Sequence, residues 1–329
     1  MKKIQLSAYG IPEEVAQCID VQELGAPEPH EVVFDVLAFP INPADIWFCK
    51  GAYRLKPPLP AVPGAECVGR ITAVGSAVTH LQPGQLVINL QRENWAQRRR
   101  VAADQLVSIA PNLDIQQAAM LRINPPTASL LLSDMVKLAP GEWVIQNIAN
   151  SAVGRWVISL AKRRGLRTVN IVRRESLFAE LSSLGADVCL VDGPNLVAQV
   201  RAATGTSSIR LGLDAVAGAA SVRLAECLSD EGVVCCYGSM SGADPQADRG
   251  ALIYRGISLT GFMLGRFLAK RTPAQITAIY AELSAELSAG RLSVPVAATY
   301  PIAEIAAALR HAQQGERGGK VLVLPNGPT

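Results

Sequence analysis

A chain of 329 residues, 49% hydrophobic and only 18% charged, is long enough for two domains or one large α/β unit and has ample apolar surface for a packed core. That excludes a mini-protein and a disordered chain. The formal net charge of +3 implies no nucleic-acid partner and no membrane surface unless a local patch exists, and no uninterrupted apolar run reaches the roughly 18 residues of a membrane helix.

At the N-terminus, Lys2 and Lys3 are followed by Tyr9, Glu13 and Glu14, where an export signal would carry its apolar run. A cytoplasmic location is expected. The seven cysteines are scattered without a C-x-x-C pair and read as reduced, mostly buried thiols. Over the first 120 or so residues, short Val/Ile runs at 31–38, 69–75, 84–89 and 99–109 are separated by Pro and Gly, the spacing of strands and turns. From Pro125 the texture changes. Apolar runs at 143–147, 168–172, 188–191 and 212–216 alternate with helical patterns at 153–164, 177–184 and 196–203, which predicts βαβ units in a parallel sheet. A strand follows at 257–262, then a long helix at about 273–289, a helix at 302–313 and a last strand at 320–324 that could return to either domain.

The segment Gln146-Asn147-Ile148-Ala149-Asn150-Ser151-Ala152-Val153-Gly154 ends a predicted strand and opens a predicted helix. Backbone N–H groups at such a helix start can receive a pyrophosphate. Only Gly154 survives of the three glycines usual there, so an ordinary βα turn capped by Ser151 or Asn150 is the competing reading. Nineteen positions on, where an NAD-binding fold carries an acid for the ribose 2′-hydroxyl, stand Arg173 and Arg174. Guanidinium groups suit a 2′-phosphate, and an acid would repel it. This favours NADPH over NADH, against the plainer reading of a solvated basic loop. The three histidines, His30, His80 and His311, lie far apart and away from any cysteine pair, so no zinc set is expected.

The stretch Asn42-Pro43-Ala44-Asp45, then Gly51-Ala52-Tyr53, then Pro60-Ala61-Val62-Pro63-Gly64-Ala65-Glu66-Cys67-Val68-Gly69 resembles the medium-chain dehydrogenase/reductase superfamily. Asn42 and Ala65 stand where its zinc enzymes carry Cys and His, which points to the zinc-independent branch. Asn124-Pro125-Pro126-Thr127, 144–154, 168–173 and 237–240 are most similar to the mitochondrial-type 2-enoyl thioester (trans-2-enoyl-CoA) reductases, with quinone oxidoreductases next. The resemblance covers Met1 to Leu324. It implies an α/β protein with a GroES-like β-rich catalytic domain (1–122 and 292–329) and a Rossmann doubly wound parallel-sheet domain (123–291) that binds NADPH and joins a homodimer.

The resemblance also implies roles for individual residues. Tyr53 is the proton donor. Asn124 and Thr127, the loop Asn150, Ser151, Ala152, Val153 and Gly154, the pair Arg173 and Arg174, the segment Tyr237, Gly238 and Met240, the segment Phe262, Met263 and Leu264, and Lys320 contact the cofactor. Ala152 and Ser239 replace glycines of the family, and Met263 replaces a Trp usual in enoyl reductases.

Chemistry gives Tyr53 an independent reason: hydride addition at the β-carbon of an activated C=C leaves an enolate, and a neutral phenol within hydrogen-bond reach can protonate its α-carbon. Its plainer role is an ordinary hydrogen bond in a Gly/Pro turn. The expected activity is NADPH-dependent reduction of a 2-enoyl thioester. The alternatives are quinone or enone reduction on the same fold and a non-catalytic dinucleotide-binding protein. Trp47 and Phe48 are expected in the core, Arg98-Arg99-Arg100 on a solvated strand edge, and Cys235 and Cys236 among buried apolar neighbours.

Overall fold

In the computed structural model, which describes residues 1–328, the chain divides into two units, Met1–Ile123 with Pro273–Thr329, and Asn124–Thr272. The strands in chain order are β1 (Lys2–Leu6), β2 (Ala16–Asp20), β3 (Glu31–Pro40), β4 (Val68–Val74), β5 (Leu86–Asn89), β6 (Arg98–Ala102) and β7 (Leu106–Ser108). They continue with β8 (Trp143–Gln146), β9 (Arg167–Val172), β10 (Val188–Val191), β11 (Ile209–Asp214), β12 (Val233–Cys236), β13 (Ser258–Gly261), β14 (Val296–Pro301) and β15 (Lys320–Leu324).

In the first unit β1 and β2 form an antiparallel pair, and seven strands form a sheet in the order β14-β15-β3-β4-β5-β7, with β6 also pairing β3. The ten residues of β3 are buried at seven positions, as a strand covered on both faces must be. Phe34, Phe39, Trp95, Ile4 and Leu6 are fully buried in the core around it, with Phe39 stacked on Trp95 at 5.6 Å between ring centroids. Gly69 has no alternative where β4 crosses β3, because a Cβ there would lie 2.3 Å from the Phe34 ring. The last strand, whose destination sequence left open, joins this unit: β15 runs antiparallel to β3, Leu322 facing Pro40, and parallel to β14.

The basic run of β6 lies at a strand edge with each guanidinium paired: Arg98 to Asp35 at 2.6 Å, Arg99 to Glu93 at 3.2 Å and Arg100 to Glu31 at 3.3 Å. The long helix Pro273–Ser288 also belongs to this unit, whereas the sequence-based boundary put residues up to 291 with the Rossmann unit. Two contacts account for the difference: Tyr280 Oη donates to Arg122 O at 2.9 Å, and the Ser284 hydroxyl accepts from Ala110 N–H at 3.3 Å.

In the second unit six parallel strands follow the order β10-β9-β8-β11-β12-β13. The order reverses between β8 and β11, and in such sheets ligands bind outside the carboxyl ends of the strands near that switch. Two apolar clusters pack this unit, one with Trp143, Ile145, Val169, Ile171 and Val234, the other with Ile158, Val172 and Leu181. Periodicity does not reveal three α-helices of this unit, Asn124–Asp134, Ala219–Cys227 and the short Leu264–Leu268. The first opens on Asn-Pro-Pro, a pair of prolines that reads as a loop but is tolerated in a first helical turn, where the N–H groups have no helical acceptor.

Candidate active site

Four of the segments expected at a cofactor lie at one edge of the parallel sheet, because each follows the carboxyl end of a strand. Residues 147–154 follow β8, Arg173 and Arg174 follow β9, Tyr237 to Met240 follow β12, and Phe262 to Leu264 follow β13. The turn after β8 is built for close approach. Ile148 takes φ 46°, the Ser151 hydroxyl caps the helix Ala152–Arg163 by accepting from Gly154 N–H at 3.1 Å, and a Cβ on Gly154 would stand 2.5 Å from Ala149 O. Gly154 therefore lets the helix pack on the strand. The N–H groups of Ala152 and Val153, in the first turn, have no helical acceptor below them and can receive a phosphate oxygen.

A polar network that sequence reasoning missed braces this edge. Gln146 donates to Asn170 Oδ1 at 2.8 Å and to Gly154 O at 3.0 Å. Asn147 donates to Asp214 Oδ1 at 2.6 Å and accepts from Ala215 N–H at 2.8 Å. Asp214 Oδ2 takes the Ser221 hydroxyl at 2.6 Å. All five side chains are fully or nearly fully buried, which makes each bond costly to lose. Only the polarity of Gln146, Asn170 and Asp214 inside apolar strands signalled the network.

Around this loop, the Tyr237 phenol is buried and pushed up by desolvation, with the Ser151 hydroxyl pulling the other way. Gly238 is close to Ala215, whose carbonyl oxygen would be 3.1 Å from an added Cβ. Phe262 is buried and stacked on Phe267 at 4.4 Å, while Met240 and Met263 are exposed. Arg173 is exposed at the tip of β9, and Arg174 is half-buried. Asn124 and Thr127 are buried in the first turn of their helix, and Asn124 Nδ2 is a buried donor with no acceptor. An orphaned amide donor, two vacant backbone N–H groups and an exposed arginine are groups that a dinucleotide phosphate could satisfy.

Lys320 is not part of that edge. It opens β15 in the first unit, buried, with its ammonium donating to Asn42 Oδ1. Asn42 Nδ2 donates to Glu66 Oε1 at 2.7 Å, and Glu66 Oε2 accepts from Ile123 N–H at 2.9 Å. Asp45, fully buried, accepts from Asn42 N–H at 3.0 Å and Ala65 N–H at 2.9 Å. Burial pushes the Glu66 carboxyl up to about 7, against the pull of Lys320, and raises Asp45; burial lowers Lys320.

Tyr53 follows the helix Pro43–Cys49, its N–H donating to Trp47 O at 3.0 Å. It is half-buried, with the Arg92 guanidinium 5.2 Å from its ring centroid, and its hydroxyl has no hydrogen-bond partner among the described residues. Phe48 is in the core as expected, but Trp47 is 40% exposed: on a helix of seven residues neighbouring side chains point about 100° apart, and only one of the two can face inward.

Two family models match the chain, "Alcohol dehydrogenase GroES-like domain" over residues 28–108 and "Zinc-binding dehydrogenase" over residues 152–282. The mouse mitochondrial enoyl-[acyl-carrier-protein] reductase is 35% identical over 301 residues, covering 89% of this chain and 80% of the relative. Among solved structures, Etr1p in complex with NADP and crotonyl-CoA superposes with a TM-score of 0.87 at 26% identity, covering 98% of this chain and 99% of that one. A quinone oxidoreductase from Pseudomonas syringae pv. tomato reaches 0.86 at 25% identity, also covering 98% and 99%.

The zinc of the second model's description does not fit the residues present. Among the described residues no group of three or more His, Cys, Asp or Glu side chains could hold a metal ion. The cations that meet the buried Asp45 and Glu66 are side chains of the chain itself, Lys320, Arg92 and Arg122. On the strength of these matches the chain is an oxidoreductase that belongs to the medium-chain dehydrogenase/reductase superfamily, in the group that includes the mitochondrial enoyl-[acyl-carrier-protein] reductases.

Proposed function

We propose that this chain reduces the C=C bond of a 2-enoyl thioester with NADPH, independently of zinc, and that Tyr53 protonates the α-carbon. The observation that carries the reading is a half-buried phenol with no partner for its hydroxyl, in a chain that matches an enoyl reductase over 89% of its length. NADPH, when bound, supplies hydride to the β-carbon. The protein's part is to hold and orient. Ala152 and Val153 offer N–H groups to the pyrophosphate, Ser151 keeps Gly154 tied so that the turn stays closed, and Asn124 brings an unsatisfied amide. Arg173, exposed at the end of β9, offers a forked cation to a 2′-phosphate, with Arg174 beside it.

At the other end of the reaction the phenol of Tyr53 is the acid. Zinc independence is supported by Asn42 and Ala65, which stand where the zinc enzymes of the superfamily carry Cys and His, and by the Lys320 ammonium that donates to Asn42 Oδ1. The reading also makes the protein a cytoplasmic homodimer. Seven free thiols suit a reducing compartment, and Ile253 and Tyr254, 66% and 78% exposed just ahead of the edge strand β13, offer an apolar surface to a second copy.

Stopped-flow oxidation of NADPH with crotonyl-CoA or with a simple quinone tests the assignment. Thioester turnover is expected, and its loss in Tyr53→Phe at unchanged NADPH affinity supports the acid. Turnover of the quinone alone would replace the reading with quinone reduction, which the superposition on the Pseudomonas enzyme favours. Tight NADPH binding with neither turnover would leave a dinucleotide-binding protein without catalysis.

A further inference from the structure

One charged group beside Tyr53 has no place in the chemistry so far. The Arg92 guanidinium carbon lies 5.2 Å from the centroid of the Tyr53 ring and 5.4 Å from that of Phe48. Its side chain is 24% exposed, and its nearest carboxylate is Asp45, with Nη2 3.7 Å from Oδ1. That distance is an ion pair without a hydrogen bond, and Nη2 is buried with no hydrogen-bond partner. Asp45 cannot come closer without giving up a bond, because its two oxygens already accept from Asn42 N–H and Ala65 N–H. Arg92 is thus anchored in position by a carboxylate that leaves its charge only partly answered, and it faces an aromatic ring.

The proton transfer asked of Tyr53 creates the charge that such a cation would answer. The O–H bond of Tyr53 breaks, the enolate electron pair forms the C–H bond at the α-carbon, and the negative charge left behind spreads from Oη over the ring. The phenolate then regains a proton from water. We propose that Arg92 is the counter-charge to Tyr53 in this step, a catalytic-site cation whose attraction for the ring grows as the phenol loses its proton. The inference rests on Tyr53 being the acid. A cation–π contact to the neutral ring is already favourable; the interaction with an anionic ring is stronger, and only interactions that strengthen toward the transition state raise kcat. At this separation and partial exposure, Coulomb attraction corresponds to about ten- to a hundredfold in rate.

The test is a double-mutant cycle on kcat for crotonyl-CoA reduction, with NADPH affinity followed separately by quenching of protein fluorescence. Arg92→Met should lower kcat about ten- to a hundredfold with NADPH affinity unchanged and the solvent isotope effect on kcat increased. Arg92→Lys, which keeps a cation near the ring and guards against a folding defect in the Met variant, should recover part of the loss. In a Tyr53→Phe background, Arg92→Met should cost nothing further. Full kcat in Arg92→Met, or losses that multiply in the double variant, would overturn the inference while leaving Tyr53 as the acid. Full kcat in Tyr53→Phe would overturn both.

Discussion

Replacing Lys320 by Met tests the buried cluster of the first unit, and the size of its effect depends on pH. The ammonium donates to Asn42 Oδ1 in a site where Lys320 is 8% exposed and Glu66 is 0% exposed. Removing it leaves a buried amide oxygen without its donor, a cost of about 1–3 kcal/mol that does not depend on pH. It also removes a positive charge that favours the carboxylate of Glu66, whose pKa is already up at about 7 from an ordinary 4.5. Without Lys320 that carboxyl stays protonated in the folded state to higher pH, while the unfolded chain ionises as before.

The added deficit is then nearly zero at about pH 6, where Glu66 is protonated with or without the lysine. It grows through pH 7.5 to pH 8.5, with a limiting slope of about 1.4 kcal/mol per pH unit. Urea denaturation of both proteins at these three pH values measures it. A deficit that stays flat with pH, or a Lys320→Met protein as stable as the parent, would refute the reasoning.

Other outcomes follow from the same geometry. Glu66→Gln removes a group whose raised pKa favours the folded state fully below about 4.5 and progressively less as pH rises through about 7. The parent should therefore lose stability relative to the variant across that window, which denaturation midpoints will register. Gly154→Ala places a methyl 2.5 Å from Ala149 O, so the helix must lift from the strand, and NADPH affinity by titration should fall at least tenfold, about 1.4 kcal/mol; unchanged affinity would remove the loop from the cofactor site. Arg173→Ala with Arg174→Ala should weaken NADPH by about 1–3 kcal/mol and leave NADH almost untouched. Equal weakening of both cofactors would count against a 2′-phosphate contact.

Much of this architecture was legible because its signals are local. The alternation of apolar runs and helical patterns after Pro125 gave the parallel sheet, and the position of 147–154 between β8 and its helix did not depend on the missing glycines. What escaped was nonlocal or chemically disguised. Asn124-Pro125-Pro126 reads as a loop, yet it opens a helix because prolines are harmless in a first turn. For Lys320, expected at the cofactor, no periodicity reveals that β15 pairs with β3 and that the ammonium donates to Asn42. Asp214 and Ser221 gave no motif at all, and the bond that joins Asp214 to Asn147 of the loop spans positions 147 to 214. Arg92 was invisible for the same reason: its two aromatic neighbours lie about forty positions earlier in the chain and meet it only once the first sheet has formed.

The most direct measurement of the central claim is the isotopic pattern of the product when crotonyl-CoA is reduced with unlabelled NADPH in deuterium oxide. The account predicts butyryl-CoA carrying a single deuterium, at the α-carbon, formed by the parent protein and much more slowly by Tyr53→Phe. Deuterium at the β-carbon, or equal rates from the two proteins, would contradict it.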